Sequence, residues 1–275
     1  MKALVAILIA ASLVSSGFFL TNYAVAAPNE NASDTARQNA QVKIPSHAVQ
    51  IAPGIYHIGT AMHEGMLVEG IMAFHHRDGH DKGPRNGDPV PTSSCYSLLA
   101  KDAKWKSNEP WILNPENNEN LDHGFLLNNL AANIQKWEDA AGSEVFGDGS
   151  STSAGLEADT VTPDGANEIY FADIEGDTAI AVTITWGIFS GKPSDRVLVE
   201  WDQVYDQVSF DWANNGDPEK MDFENIATHE IGHALGLGHP DSSCTEETMF
   251  AFADNGETKK QTLENGDITG INKLY

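Results

Sequence analysis

The sequence predicts an α+β domain over residues 93–275, preceded by a small β-containing N-terminal region. Three observations carry this. An apolar stripe at helical spacing lies near residue 130, and short β-branched runs come after it, as a sheet covering that stripe would require. A second helix further on gathers histidines, instead of apolar side chains, on one face. A chain of 275 residues with 41% apolar content can build one main domain with additions.

Taken in order, Lys2, an apolar run over 3–20 and the small residues Ala24, Val25, Ala26 and Ala27 read as a secretory signal over 1–27. A retained anchor is the alternative, since the run is nearly long enough to span a bilayer. No later segment is apolar enough to cross, so the mature protein is expected to be secreted, extracellular and free of the membrane. Residues 28–92 form the N-terminal region. Its first part, 28–43, is polar and rich in Asn and Ala, which predicts disorder, and Asn31-Ala32-Ser33 is a glycosylation sequon. Strands are predicted at 49–51, 54–58 and 66–74, as a small β unit packed on the main domain. The Gly, Pro, Asp and His content of 77–91 marks an exposed linker, where a protease would cut; the region therefore suits a propeptide. His47, His57, His63, His75, His76 and His80 read as solvated, with an accessory metal site among them as the alternative.

In the main domain, 111–113 is a short strand. Leu127, Leu130, Ile134, Trp137 and Ala141 make an amphipathic helix ended by Gly142. Further strands lie at 169–171, 179–185 and 197–200, with a short paired segment at 208–210. A helix over 223–235 takes Asp222 as N-cap, and a last helix over 263–274 turns Ile268, Ile271 and Leu274 to the core.

The formal charge is 16 − 40 = −24, or −25 once Lys2 leaves with the signal. That surface repels nucleic acid and anionic membranes. Acidic loops suit hard cations, so structural calcium is open at Asp159, Asp164, Asp173, Glu175 and Asp177, although solvation accounts for most of this charge. Cys95 and Cys244 in an exported chain suggest one disulfide; ligation of a metal by the Cys95 thiolate stays open beside it.

The chemistry sits in His229-Glu230-Ile231-Gly232-His233-Ala234-Leu235-Gly236-Leu237-Gly238-His239. Residues four apart share a helix face, so His229 and His233 can grip one ion from the same side. Gly236 can take the positive φ that ends the helix and brings His239 round as a third ligand. A fourth tetrahedral position is then left for water, within reach of Glu230. The pattern H-E-x-x-H-x-x-G-x-x-H is the metzincin signature.

The chain resembles the metzincin metalloproteases, and within them the matrixins. The likeness rests on the helix around Ala132-Asn133-Ile134-Gln135-Lys136-Trp137, on the motif with Ala227-Thr228 before it, on Thr248-Met249 and on the closing segment from Gly266 to Tyr275. It implies a zincin fold: a twisted mixed sheet with three main helices. It implies that His229, His233 and His239 hold zinc, that Glu230 is the catalytic base and that Met249 floors the metal. It also implies that Ala179, Ile180, Ala181, Val182 and Thr183 form a substrate-binding edge strand, with a specificity pocket near 250–254. Departures are Pro240 after the third His, Gly266 where a second Asp is usual, no Pro-Arg-Cys-Gly wording at Cys95, and no His between Gly142 and Trp186 for a second zinc.

The expected function is a monomeric, secreted zinc endopeptidase that hydrolyses peptide bonds in extracellular proteins with metal-activated water and a Glu base. Alternatives are a non-catalytic, zinc-stabilised binding module and a zinc hydrolase of non-peptide amides.

Overall fold

The structure, a computed structural model, describes residues 41–77 and 94–275. The predicted signal, the sequon at Asn31, His80 and most of the expected linker lie outside the described residues. The elements are β1 (Val49–Ala52), β2 (Ile55–His63), β3 (Met66–Arg77), β4 (Ser97–Leu98), β5 (Glu109–Leu113), α1 (His123–Ala141), β6 (Phe146–Ser151), β7 (Glu168–Ala172) and β8 (Ala179–Ile188). They continue with β9 (Val197–Asp206), β10 (Trp212–Ala213), β11 (Met221–Asp222), α2 (Phe223–Ala234), β12 (Leu237–Gly238), β13 (Phe252–Ala253) and α3 (Asn265–Leu274).

One mixed sheet organises the molecule, with strand order β1-β2-β3-β8-β9-β7-β5-β6 and β13 joined to β3. β5, β6, β7 and β9 run parallel to their neighbours in that part of the sheet, whereas β3–β8 and β8–β9 are antiparallel. Side chains alternate across a strand, and β7 divides them cleanly. Ile169 and Phe171 face the helices with Leu130, Trp137, Ile226 and Ile231. Tyr170 faces the opposite layer with Ile58, Val68, Met72, Phe74, Val182 and Trp186.

α1 begins where the Asp122 carboxylate accepts from the Phe125 amide (2.8 Å) and ends at Gly142, whose φ of 64° only glycine adopts freely. Its buried face is Leu126, Leu130, Ile134 and Trp137, so Leu126 takes the inward place expected for Leu127.

Several expectations need correction. The N-terminal strands are not a separate β unit: β1–β3 continue the main sheet through the β3–β8 pairing. Nor are residues 41–43 loose, because Val42 is buried and bridges Ile174. Residues 208–210 turn instead of pairing, since the Asp206 carboxylate accepts from the Val208 and Ser209 amides. α3 starts at Asn265, after the Glu264 cap, and leaves Ile268 exposed while Ile271 and Leu274 enter the core. β6 was not foreseen; its Gly- and Ser-rich text carries no strand signal, and it adds to β5 at the sheet edge.

Candidate metal centre

α2 starts where Asp222 Oδ1 accepts from the Asn225 amide (3.0 Å). From Asn225 to Ala234 every residue of it is buried. Buried imidazoles in a helix need partners, and these have them. His229 Nδ1 meets the Thr248 carbonyl at 2.7 Å and His233 Nδ1 the Leu237 carbonyl at 2.8 Å. At Gly236, φ is 103°, and a Cβ there would press on Leu274, Leu198 and the Ala103 carbonyl. The chain turns into β12, which pairs antiparallel with β4, and His239 swings back to the helix. Its Nδ1 meets the Pro53 carbonyl at 3.0 Å, in the turn between β1 and β2.

A carbonyl can only accept, so each Nδ1 carries the proton and each Nε2 presents a lone pair. Ligating atoms of the three rings lie within 4.8 Å of one another. His233 Nε2 and His239 Nε2 stand 3.1 Å apart, and His229 Nε2 is buried without a partner. Two lone pairs facing each other at that distance repel unless a cation sits between them. Nitrogens on a tetrahedral zinc are separated by about 3.3 Å, so the donor set fits that ion. Burial is the main cause that lowers all three imidazole pKa values, His233 to about 4, which keeps them neutral and able to ligate.

Glu230 is fully buried beside them. Thr183 of β8 donates to its Oε2 at 2.6 Å, while Oε1 has no hydrogen bond. Burial raises its pKa to about 8, against partial lowering by the Thr183 bond and the Lys260 charge. Met249 packs on Gly232, where any Cβ would collide with its sulfur. The Met249 turn is held by Asp267, whose carboxylate accepts from the Thr248 (2.7 Å) and Met249 (3.1 Å) amides. Buried Lys260 donates to the Thr248 and Phe250 carbonyls. Neither Asp267 nor Lys260 is legible as a support from the sequence alone.

His75 is the largest surprise. Expected in solvent, it is buried, stacks on His229 with ring centroids 3.8 Å apart, and puts Nδ1 3.5 Å from Glu230 Oε1. β3 brings it there. The expected edge strand is therefore corrected: β8, with Ala179, Ile180, Ala181, Val182 and Thr183, lies between β3 and β9. Past residue 75, β3 also pairs in parallel with β13, so it runs between β8 and residues 252–253, where the specificity pocket was expected. The sequence of β3 signals a strand but not its partner, because pairing across 100 residues leaves no local trace.

Cys95 and Cys244 form a disulfide with Cα atoms 5.6 Å apart, which removes Cys95 as a metal ligand. It tethers the segment before β4 to the loop after His239. The close approach of that segment requires Gly266, since a Cβ would strike the Cys95 carbonyl. Of the acidic loop residues, Asp159 and Asp164 gather with Glu200. Asp173 bonds Gln41 instead; Asp173, Glu175 and Asp177 make no such group among the described residues.

A mixed sheet backed by a long helix, with three convergent imidazoles and a buried carboxylate on a second helix, defines a zincin-type metal centre. A family model described as matrixin matches residues 72–275, and the chain belongs to that family. It is 32% identical over 127 residues to metalloendoproteinase 4-MMP of Arabidopsis thaliana, covering 40% of this chain and 36% of that one. It is 47% identical over 55 residues to metalloendoproteinase 5-MMP of Arabidopsis thaliana (20% and 14%), and 37% identical over 65 residues to matrilysin of Rattus norvegicus (24% and 24%). The chain thus aligns with about a third or less of the length of these relatives.

Proposed function

We propose that this chain is a secreted zinc endopeptidase made in a latent form. The observation that carries the reading is the convergence of three Nε2 lone pairs, each fixed by a carbonyl on Nδ1, beside a buried carboxylate. His229, His233 and His239 would hold the zinc. Bound there, zinc would acidify a water and polarise a scissile carbonyl. Glu230 would take the proton on its open Oε1 and pass it to the leaving amine, with Thr183 fixing Oε2 and the plane of the carboxylate. A raised carboxyl pKa suits a group that must both accept and donate near neutrality. Met249 would keep α2 in place under the site. An extended substrate would add to β8 through main-chain bonds once that edge is free, with its side chain in a pocket near Phe250 and Phe252. Substrates would be extracellular proteins and peptides; nucleic acid and membrane are not partners, and the protease acts as a monomer.

The latency reading assigns residues 28–92 as a propeptide and 93–275 as the protease. It is supported by the course of β3, which lies where a substrate would add, and by His75, which covers the one open oxygen of Glu230. Among the described residues no helix is long and apolar enough to cross a membrane. Cutting between β3 and Cys95 would leave the N-terminal strands attached only by packing and hydrogen bonds.

The test uses the zinc-loaded chain on casein, before and after such a cut and removal of the N-terminal fragment. Hydrolysis should appear only after removal, and Glu230→Ala should abolish it without loss of zinc. Undiminished hydrolysis by Glu230→Ala would overturn the mechanism; full activity of the uncut chain would overturn latency.

A further inference from the structure

Lys260 is a fully buried cation that the mechanism does not use. It lies on the one-turn 3-10 helix Lys259–Gln261, which is fixed to the start of α2. There the Lys260 amide donates to Asn225 Oδ1 at 2.8 Å, and Gln261 Nε2 donates to Asp222 Oδ1 at 2.8 Å. From that turn the side chain reaches inward, and its ammonium donates to the Thr248 and Phe250 carbonyls. The Thr248 carbonyl is the one that also holds His229 Nδ1. Nζ stands 5.2 Å from the centre of the Phe250 ring. Among the described residues no carboxylate makes an ion pair with Lys260, and Glu257 pairs with Lys259 instead.

Holding two carbonyls does not account for the charge. A neutral amide could donate to both and would cost less to bury. An ammonium has three N–H bonds, and carbonyls take two of them here. Burial, opposed in part by Glu257, lowers the pKa of Lys260 to about 7, as happens to a cation set among neutral groups. The place of this charge matters, because it borders the cleft. β3 marks the path of an extended peptide: it passes Glu230 at His75 and then meets β13, with His76 opposite Phe252 and Arg77 opposite Ala253. A substrate running the same way would set the residue that follows the cut bond against 250–253. Phe250, Ala251 and Phe252 form one apolar cluster there, with the Lys260 ammonium against Phe250.

We infer that Lys260 sets substrate preference by offering its ammonium to an acidic side chain, a glutamate, on the residue that follows the cut bond. The inference rests on the protease reading above and goes beyond it in naming the substrate class, peptides with a carboxylate beside the scissile bond. A carboxylate entering this buried place would take the third N–H and neutralise the charge, a gain that neither glutamine nor leucine supplies. At an exposed lysine the same pair would be worth little, so the preference depends on the burial of Lys260. Lys259, whose Nζ is 5.7 Å from the centre of the same Phe250 ring, adds a second positive charge nearer the surface.

The experiment uses the zinc-loaded chain cut between β3 and Cys95, with both pieces kept together. Its substrates are quenched fluorogenic peptides that differ only in glutamate, glutamine or leucine after the cleaved bond, and mass spectrometry of the products fixes the position of the cut. Each comparison is a ratio of kcat/KM on one sample, so the fraction of active enzyme cancels. The wild type should favour glutamate over glutamine by about tenfold or more. In Lys260→Met that ratio should fall to about one, with leucine now the best of the series. The wild-type ratio needs no variant and carries the test should Lys260→Met not fold. The Glu230→Ala chain, cut the same way, gives a readout without turnover: anisotropy of labelled peptides should show glutamate bound about tenfold more tightly than glutamine. A wild type that treats glutamate and glutamine alike, or a ratio unchanged in Lys260→Met, overturns the role of Lys260 and leaves the protease reading standing. Failure of the protease reading looks different, since casein and every peptide would then stay intact, and it would remove both.

Discussion

Met72 gives the sharpest handle on latency, because it belongs to β3 and makes no contact with the chemistry. It is fully buried, opposite Ile184 of β8, in a layer shared with Val182, Trp186 and Tyr170. Truncating a buried Met to Ala costs about 2–5 kcal/mol. In the uncut chain that cost falls on the whole fold. Once the chain is cut between β3 and Cys95, it falls on the hold of β1–β3 over the cleft. Taking the lower bound, the released fraction should rise by about 30-fold. The assay is initial casein hydrolysis by cut but unseparated protein, Met72→Ala against wild type, normalised to enzyme from which the N-terminal fragment has been removed. The account predicts a higher rate for Met72→Ala before removal and equal rates after it. Equal rates before removal, or a lower rate for Met72→Ala, would show that β3 is a permanent strand of the active enzyme and refute the reasoning.

Three further outcomes rest on the packing around the metal centre. Asp267→Ala leaves two buried amides, of Thr248 and Met249, and the half-buried amide of Glu264 without their acceptor; urea unfolding should show a loss of about 3 kcal/mol. Because the Thr248 carbonyl orients His229, zinc affinity in the same variant should fall about 10- to 100-fold. Replacing Cys95 and Cys244 by Ser opens a loop with a sequence separation of 149; chain entropy sets the cost near about 5 kcal/mol, read as a drop in urea midpoint with zinc content retained.

Much of the site was legible in the text because its signals are local. Two histidines four apart, a glycine that permits φ of 103° and a third histidine three residues later encode their own geometry within one short run. α1 was legible for the same reason, through its stripe and its Asp and Gly ends, with an error of one position at Leu126. What stayed hidden depends on pairings distant in sequence. β3 lies beside β8 across about 100 residues, and only that pairing places His75 on His229. The turn that puts the Pro53 carbonyl on His239 arrives with the same strands. The disulfide could be suspected by elimination but not distinguished from a metal thiolate until the two Cα atoms were seen 5.6 Å apart. β6 was hidden for another reason, since its strand is held by edge pairing and not by the side chains of Gly147, Asp148 and Gly149.

The direct trial of the central claim is metal content by mass spectrometry, after exhaustive dialysis, for the wild type and for single alanine replacements of His229, His233 and His239. The account predicts one zinc per wild-type chain and sharply reduced zinc in each replacement, with His75→Ala keeping its full equivalent. A wild-type protein without zinc, or one that retains it when His239 is replaced, would contradict the account.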